Sequence, residues 1–533
     1  MDTARQLDCV VIGAGVAGLA AAQSLCKAGC KSLLILEARD RIGGRILTQE
    51  LLGIPMDLGA SWIRGTKDNP LMNIPFRLKG LENVVIFDKD NRKIEAVVAA
   101  ALIETVWAAR QRMIDSRKKS SAAKSRLSSS LSNEDSLIDS DKLNRRRKSW
   151  WDRVRKDMEA EQSSEQQSMP ESDELRNISY ASDISLSDWL RADPQFCAEI
   201  ERNKEHGYLL LDLVNMLENL EGADLNVISL ANHDKNDFVG PHLYVTNGLW
   251  DLIRVIGGSI LKEQRDILKL EHEVVGIDYS AGIDSDYPVQ IHTNKGVFSA
   301  KTVIITLPIG ILQARHTELF YPPLPERHQH ALSSVAVGLM DKVILEFSHC
   351  FWPPEVDGFW SFLPAPGIRR GMDFDEGEES PGLVWFVNME KMHRSGPTEG
   401  PPVLIGHVSQ RHARRIEEMD DEEVEHLFLG MLRQCFAKAV VPDLLSFRIT
   451  RWGMDPYSMG ALGTSASLAH IITLSEPVAY PESACAKAQQ SHCQPLHFAG
   501  EHTSPHHFGT VHGALMSGIV EAESVAFELG LIS

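Results

Sequence analysis

Cysteine is scarce in this chain of 533 residues, which contains eight. Cys26 and Cys30 are closely spaced but fall on one predicted helix, so no disulfide framework is expected and a reducing compartment is favoured. Basic charge is also in short supply, because 54 Lys plus Arg stand against 73 Asp plus Glu and leave a net charge of −19. This balance disfavours nucleic-acid binding and favours cationic small ligands.

Long hydrophobic runs are absent as well. The longest, around residues 10–22 and 302–312, fall short of the roughly 20 apolar residues that a membrane-spanning helix needs. No secretory signal is recognisable at the start, and the ending "FELGLIS" lacks the Ser-Lys-Leu peroxisomal address. We therefore expect no membrane span and a cytoplasmic location, with a peroxisomal location as the alternative and a nuclear one less favoured.

One stretch is poor in apolar residues. Residues 120–140 are rich in serine, "RRRKSWWDRVRK" follows at 145–156, and a polar run occupies 159–174. Such a composition cannot bury enough apolar surface to offset its ordering entropy. Residues from about 115 to 175 are therefore predicted to form a largely disordered surface insertion of unknown partner, and the basic run at 145–148 is interpreted as a solvated charge cluster rather than a nuclear address.

Regular elements are predicted on both sides of this stretch. In "DDEEVEHLFLGMLRQCF", Asp420 can cap a helix, Glu423 stands three residues later, and an apolar stripe follows at helical spacing. Short β-type runs at 273–279, 290–298 and 302–307 predict a ribbon that returns toward a nucleotide-binding sheet. Strands and helices alternate as in an α/β fold with an inserted second domain.

The segment "DCVVIGAGVAGLAAAQSLCKAG" carries the strongest motif. A buried strand leads into a Gly13-x-Gly15-x-x-Gly18 turn and then a helix, and Glu37 ends the next strand, "SLLILE". The first glycine permits the tight turn, the second lets a pyrophosphate approach the backbone, and the third lets the helix and strand pack closely. A carboxylate at position 37 can accept hydrogen bonds from ribose hydroxyls. The pattern predicts a dinucleotide-binding unit.

Directly after Glu37 comes "ARDRIGGR", with Arg39, Gly44 and Arg45. Glycines and arginines together give backbone approach and cationic donors beside a diphosphate. This combination resembles the flavin-binding signature of the FAD-dependent amine oxidases, and polyamine oxidases are the members that it resembles most. Similar segments recur along the chain as "DLGASWIRGTKDNPL", "LEHEVVGI", "VIITLPIGILQ", "LHFAGEHT" and "GTVHGALMSGIVEA".

The resemblance implies a set of cofactor contacts. Glu37 would hold the adenosine ribose, Val274 would meet the adenine, and Glu501 would lie at the ribityl or phosphate region. Thr510 and Val511 would lie at the isoalloxazine. The complete set of implied FAD contacts comprises Gly13, Gly15, Ala17, Gly18, Glu37, Arg39, Gly44, Arg45, Ser61, Trp62, Val274, Glu501, Thr510 and Val511. No cysteine stands in the segment that would bind FAD covalently, so binding is expected to be non-covalent.

Lys342 lies in "GLMDKVILEF", which reads as a strand. Strict alternation places Val343 and Phe347 on one face and Lys342 on the other, so a solvent-facing lysine is one interpretation. The segment is also similar to the family segment whose lysine holds a water against flavin N5. The resemblance therefore implies that Lys342 is the catalytic residue.

Some positions depart from the family pattern. Arg64 stands where animal polyamine oxidases tend to have histidine and plant ones can have glutamate, and a fixed cation there would oppose a polycationic substrate unless it pairs or points away. The family's Ser-Tyr-Ser after a glycine is absent beyond Gly460, so the amine-facing wall is expected to be less aromatic or to use Trp385 or Phe508. The histidines at 502–512 show no ligand spacing, and no metal is expected.

The resemblance implies an α/β protein with a Rossmann-like FAD-binding domain and an inserted α+β substrate-binding domain, a mixed sheet flanked by helices. FAD-binding segments are expected at 1–78, 236–320 and 478–533. The substrate domain is expected at 79–235, with helices and the insertion, and at 321–477, with the sheet. The resemblance implies oxidation of a small cationic secondary amine, a polyamine such as spermine, spermidine or an acetylated form, by hydride transfer to flavin N5 with O2 as acceptor, giving an aldehyde, a shorter amine and hydrogen peroxide. A lysine demethylase and a non-catalytic FAD-bound scaffold are the alternatives.

Overall fold

The computed structural model describes residues 6–88, 90–128, 185–202, 209–210, 213–226, 228, 230, 238–263, 265–280, 286–363, 382–394, 400–465, 468–484 and 493–532. The chain divides into two compact units, of which the first comprises Met1–Arg110 with Ser185–Ser533 and the second comprises Gln111–Ile184. All of the site residues predicted above belong to the first unit.

Both helices and strands occur along most of the described residues. The strands are β1 Gln6–Ile12, β2 Leu33–Leu36, β3 Thr48–Leu51, β4 Ile54–Asp57, β5 Trp62–Ile63, β6 Leu78–Lys79, β7 Val84–Ile86, β8 Leu243–Val245, β9 Leu268–Lys269, β10 Val274–Asp278, β11 Val289–Thr293, β12 Gly296–Ile305, β13 Phe320–Tyr321, β14 Ala336–Gly338, β15 Met340–Phe347, β16 Gly358–Leu363, β17 Gly382–Asn388, β18 Val403–Ser409, β19 Leu444–Ile449, β20 Leu462–Ser465 and β21 Leu496–Phe498. The α-helices are α1 Val16–Lys27, α2 Ala96–Ser128, α3 Leu186–Ala192, α4 Pro194–Arg202, α5 Asn215–Glu221, α6 Trp250–Glu263, α7 Ile309–Leu319, α8 Glu326–Ser333, α9 Met389–His393, α10 Gln410–Glu418, α11 Asp421–Cys435, α12 Leu468–Ser475 and α13 Val511–Glu528.

The first large sheet contains the glycine-motif strand. Its order is β13-β10-β11-β12-β1-β2-β9, and β21 pairs with the second half of β12. β1 runs parallel to both β2 and β12, which leaves it in the middle of the sheet and buried on both faces. Helices α1, α6 and α13 cover one face through a continuous apolar core. The carboxyl end of β1 therefore opens directly into the Gly13 turn and α1.

The second large sheet has the order β19-β15-β18-β17-β16-β7. β15 pairs antiparallel with both β18 and β19, so Lys342 lies in an interior strand. The strand is buried along most of its length, because α11 packs on one face with the sheet's aromatic side chains and a separate apolar cluster lies around Ile344. A strand covered on both faces does not follow the simple alternation that suggested a solvent-facing lysine.

These features confirm the α/β class with a second, mixed α+β layer. The helix expected after Asp420 is confirmed as α11, with a capping box formed by Asp420 and Glu423. The β-ribbon is confirmed, but its expected bounds at 290–298 are wrong, because a turn at 294–295 divides that run between β11 and a long β12. The domain boundaries stay predictions.

The insertion was expected to be largely disordered from about residue 115, and for residues 115–128 this expectation is wrong, although a separate compact unit does begin at Gln111. Helix α2 continues from Ala96 to Ser128. Alanine, arginine, lysine and glutamine in this stretch have high helix propensity, and serine costs little per residue, so low hydrophobicity does not prevent a helix here. The rest of the predicted insertion, residues 129–175, lies outside the described residues.

Candidate active site

The glycine motif forms a tight turn at the end of β1. Gly13 has φ +103°, a conformation that favours glycine, and a Cβ at Gly18 would overlap the carbonyl oxygen of Gly13. The backbone N–H of Gly13 donates to the carbonyl oxygen of Leu36, which ties the turn to the neighbouring strand. Helix α1 begins at Val16 with no side-chain cap and no acidic residue in its first turn. Its first N–H groups are therefore left for an anionic ligand.

Glu37 is buried beside this turn. Its two carboxylate oxygens accept hydrogen bonds from the backbone N–H of Ala14 at 2.7 Å and of Arg39 at 2.9 Å. A carboxylate has about four acceptor positions, so two bonds from the protein leave room for ribose hydroxyls. The protein contacts also fix the orientation of the carboxylate before any ligand arrives.

Two of the three arginines of "ARDRIGGR" are paired with carboxylates far away in the sequence. Arg39 makes a bidentate ion pair with Asp455, at 3.0 and 2.7 Å, and lies over the ring of Tyr457. Arg45 donates to Glu501 at 2.9 Å. Burial alone would raise the pKa of Glu501, but the charges of Arg45 and His502, together with hydrogen bonds from Arg45 and the N–H of Gly463, outweigh burial and lower that pKa. The carboxylate of Glu501 is thus held in its charged form.

A single cavity brings most of the predicted residues together. The predicted site residues that line it are Gly13, Gly15, Ala17, Glu37, Arg39, Gly44, Arg45, Ser61, Trp62, Arg64, Val274, Lys342, Glu501, Thr510 and Val511. Gly18 does not line it, and its contact with Gly13 fits the packing role given to the third glycine. The individual roles within the cavity stay predictions.

Helix α13 also begins at this cavity. The hydroxyl of Thr510 accepts a hydrogen bond from the N–H of Gly513 at 3.0 Å and donates one to the carbonyl oxygen of His507 at 2.6 Å. Val511 is the first residue of the helix. Glu501 accepts bonds from the N–H groups of Gly463 and Gly509, both at 3.1 Å, and so anchors the loop that leads to this helix.

Lys342 is buried, with 4% of its surface exposed, so the solvent-facing interpretation is wrong. Its ammonium nitrogen Nζ donates to the carbonyl oxygens of Asp57 and Gly59, both at 2.7 Å, and to the hydroxyl of Ser61 at 2.9 Å. These three bonds use its three hydrogens. A water held by Lys342 would have to replace one of these protein acceptors, and the water-holding role stays a prediction.

Burial controls the charge of the groups around Lys342. It lowers the pKa of Lys342 to about 8, and the nearby charge of Asp57 opposes this shift. Burial raises the pKa of Asp57 to about 6, which Lys342 partly offsets. Both side chains therefore remain charged near neutral pH. His407, the cross-strand neighbour of Lys342, has its pKa lowered to about 3 by burial and then by the charge of Lys342.

Several functional residues were missed by the sequence analysis. His407 and Trp452 line the cavity, and Asp455 fixes Arg39. A histidine within the apolar run "VLIGHVS" was a signal that could have indicated His407. Of the two expected aromatic substitutes, Phe508 is 2% exposed and packs in the core, whereas Trp385 lies next to His407 in the sheet.

The donor set fits a dinucleotide. The turn at Gly13, the uncapped start of α1 and the oriented carboxylate of Glu37 supply what a diphosphate and a ribose require. Within the described ranges, no group of three or more His, Cys, Asp and Glu side chains is placed to hold a metal ion. No helix in these ranges combines the length and the apolar character needed to cross a bilayer.

Comparison with known sequences agrees with this chemistry. The family model of flavin-containing amine oxidoreductases matches residues 16–526. Polyamine oxidase 4 of Oryza sativa subsp. japonica is 26% identical over 533 residues, which cover 96% of this chain and 87% of the relative. Probable polyamine oxidase 4 of Arabidopsis thaliana is 27% identical, covering 97% and 86%. Lysine-specific histone demethylase 2 of Homo sapiens is 28% identical, covering 97% of this chain and 53% of the relative.

Solved structures show the same fold. A redesigned double mutant of putrescine oxidase matches with a TM-score of 0.59 and 17% identity, covering 98% of this chain and 99% of that one. Wild-type putrescine oxidase bound to putrescine matches with a TM-score of 0.58 and 18% identity, covering 97% and 98%. The family match and the dinucleotide chemistry of the cavity agree: this chain belongs to the flavin-containing amine oxidoreductases and is an FAD-dependent amine oxidoreductase.

Proposed function

We propose that this chain oxidises a secondary amine of the polyamine class, such as spermine, spermidine or an acetylated form, and releases an aldehyde and a shorter amine. The observation that carries the proposal is Lys342, a buried lysine that lines the same cavity as the glycine motif and is tied to the 57–61 segment. Similarity to the two polyamine oxidases named above, at 26% and 27% identity, supports the proposal too.

When bound, FAD would supply the redox chemistry, namely acceptance of a hydride from the carbon beside the amine nitrogen and transfer of the electrons to O2 with formation of hydrogen peroxide. The chain supplies orientation and charge. Lys342 contributes a positive charge in a dry environment, where its effect on a nearby anion is larger than in water. Its bonds to Asp57, Gly59 and Ser61 fix this charge in position.

The charges that line the cavity favour a substrate with few positive charges. Among the described lining residues the carboxylates are Glu37, Glu273 and Glu501, and each accepts hydrogen bonds from the protein. Arg64 and Lys342 add positive charge to the same lining. A polycation gains less here than an amine whose charge is reduced by acetylation. We therefore propose acetylated polyamines as the preferred substrates.

A peroxide-coupled screen tests the proposal. Spermine, spermidine, their monoacetylated forms and a methylated lysine peptide are compared by kcat/KM under one set of conditions. We expect the highest value for an acetylated polyamine. A preference for the lysine peptide would favour the demethylase alternative. A bound flavin that none of these amines bleaches without oxygen would favour the scaffold alternative.

A further inference from the structure

A short loop forms an outer wall of the cavity at the end where the glycine turn lies. Residues 453–459 leave and rejoin the fold at one point, because the N–H of Gly460 donates to the carbonyl oxygen of Trp452 at 2.9 Å. Residues 456–458 of this loop line the cavity, and Pro456 is also exposed to solvent. A thin wall therefore separates this end of the cavity from water. We call residues 453–459 the covering loop.

Arg39 fastens the covering loop on one side. Its guanidinium makes the bidentate ion pair with Asp455 and also donates to the hydroxyl of Ser458 at 3.0 Å. The guanidinium carbon lies 5.3 Å from the centre of the Tyr457 ring, which is close enough for a cation–π contact. Asp455 accepts a further hydrogen bond from the N–H of Tyr457 at 2.9 Å. The turn that carries Tyr457 is therefore fixed to Arg39.

Tyr457 joins the covering loop to a second wall of the cavity. Its hydroxyl donates to Oε2 of Glu273 at 3.4 Å, and Glu273 stands directly before Val274 at the start of β10. The other oxygen of Glu273 accepts from Arg315 of α7 at 2.8 Å, and its backbone N–H donates to the side chain of Asn294 at 3.1 Å. Glu273 is thus held from two sides, and Tyr457 is the partner that can move.

The two links of the covering loop differ in strength. Arg39, Tyr457 and Glu273 belong to three separate segments of the chain, and all three line the cavity. The bidentate pair of Arg39 is short and charge-assisted, whereas a hydroxyl bond of 3.4 Å is well beyond the usual length. The bond between Tyr457 and Glu273 is therefore the link that breaks first when this wall opens.

We propose that the covering loop is the gate through which FAD enters and leaves, and that the bond between Tyr457 and Glu273 is its latch. The latch adjoins Val274, the implied contact of the adenine, so it closes the nucleotide end of the site. The inference concerns exchange of the cofactor and does not depend on which amine is oxidised.

A gate and a direct contact with FAD have different kinetic signatures. A side chain that binds FAD directly slows release and lowers Kd, with little effect on association. A gate has to open before entry and before release, so it slows both by the same factor and leaves their ratio, Kd, unchanged. Paired changes in the two rate constants therefore distinguish the latch from a residue that only contacts the cofactor.

Tyr457→Phe tests the latch, because it removes the hydroxyl and keeps the ring beside Arg39. The holoprotein is diluted into flavin-free buffer, and the fluorescence of released FAD gives the release rate constant. The amount released at equilibrium over a series of protein concentrations gives Kd, and the two values together give the association rate constant. We expect both rate constants to rise about fivefold, with Kd changed by less than about twofold.

Two further variants sharpen the measurement. Glu273→Ala removes the acceptor of the latch and should also raise both rate constants. Adding Tyr457→Phe to Glu273→Ala should then have no further effect, because the two substitutions break the same bond. Tyr321→Phe, at a tyrosine that is 65% exposed, is the matched control and should leave both rate constants unchanged.

Three results would overturn the proposal. Faster release with unchanged association in Tyr457→Phe would make Tyr457 a direct contact of FAD. Unchanged rate constants would show that its bond to Glu273 does not limit exchange, and additive effects in the double variant would show that the two residues act separately. Failure of the proposed function is seen elsewhere, in the amine screen, because this measurement uses no amine.

Discussion

The cavity has two parts whose polar side chains differ in their hydrogen-bond partners. In the glycine-loop part, around Gly13, Glu37, Arg39 and Glu501, the charged side chains are paired within the protein. In the lysine part, defined by Lys342 and His407, the lysine bonds to carbonyl and hydroxyl oxygens and Nε2 of the histidine has no partner among the described residues. The first arrangement suits a cofactor that stays bound. The second holds a lysine charge with uncharged oxygen acceptors, beside a neutral histidine.

Two buried histidines show the same difference. His497, in β21 of the first sheet, lies 3.1 Å from Glu521 and 3.2 Å from Glu528. Burial alone would lower its pKa, but the two carboxylates outweigh burial and raise the pKa to about 9. His407 has no carboxylate partner and is held neutral. A buried histidine is thus a structural cation in one region and a neutral acceptor in the other.

Lys342→Met should give the largest effect on catalysis. A lysine charge about 5.5 Å from the negative charge of a reduced flavin, at an effective dielectric near 20, stabilises that flavin by about 3 kcal/mol. Loss of the charge should therefore slow the reaction by up to about 100-fold. The flavin should stay bound, and stopped-flow measurement of the reductive and oxidative half-reactions gives the change. Ser61→Ala removes one acceptor of Lys342 but keeps its charge, so it should cost much less. Half-reactions of Lys342→Met within about twofold of wild type would show that the lysine charge does not act on the flavin.

Glu37→Ala tests the glycine-loop part. It removes the charged acceptor for the ribose and leaves the N–H groups of Ala14 and Arg39 without their partner, at a cost of about 1.5–3 kcal/mol in FAD affinity. FAD occupancy after gel filtration should fall. Glu271→Ala, at an exposed carboxylate paired with Lys295, is the matched control and should keep full occupancy. Equal FAD occupancy in both variants would show that Glu37 does not bind the ribose.

His497→Gln tests whether pairing stabilises the first region. Because the folded pKa of His497 is raised from 6.5 to about 9, its contribution is complete below pH 6.5 and is lost as the pH rises through 9. We expect the free energy of unfolding of His497→Gln to be about 2 kcal/mol lower than that of the wild type at pH 6, and the two values to converge near pH 10. Denaturant unfolding at several pH values measures this.

His349→Gln, at an exposed histidine, serves as the control for that series and should follow the wild type at every pH. A constant difference between His497→Gln and the wild type from pH 6 to pH 10 would mean that the histidine acts through packing rather than through its charge.

The glycine-loop part could be predicted from the sequence because its residues are neighbours in the chain. The turn at Gly13, the helix after it and Glu37 at the end of the next strand form one βαβ unit, so spacing alone indicates the chemistry. The bidentate pair between Arg39 and Asp455 could not be predicted, since it joins segments that meet only in the folded chain.

The lysine part depends on strand register. His407 faces Lys342 only because β15 and β18 pair in this register, and a shift by one residue would turn the histidine to the other face. A run such as "VLIGHVS" predicts a buried strand, but it does not predict which strand pairs with it or in which register. The resemblance to a family indicated Lys342, whereas its three hydrogen bonds to the 57–61 segment required the structure.

Arg64→His should have the smallest effect and tests the charge that Arg64 adds to the lining of the cavity. Arg64 lines the cavity, and its charge is one of the causes, after burial and His507, that lower the pKa of His512 to about 3. The repulsion between the Arg64 charge and a substrate charge about 8 Å away, at an effective dielectric near 40, is about 1 kcal/mol. Removal of this repulsion should lower the KM for spermine about fivefold. The KM for a monoacetylated polyamine should fall less, because that substrate carries fewer charges. The difference between the two substrates should shrink as salt is raised from 0.01 to about 1 M, since screening shortens the range of the interaction. Equal changes for both substrates at low salt would mean that the guanidinium of Arg64 acts on neither, and the preference for acetylated amines would then need another cause.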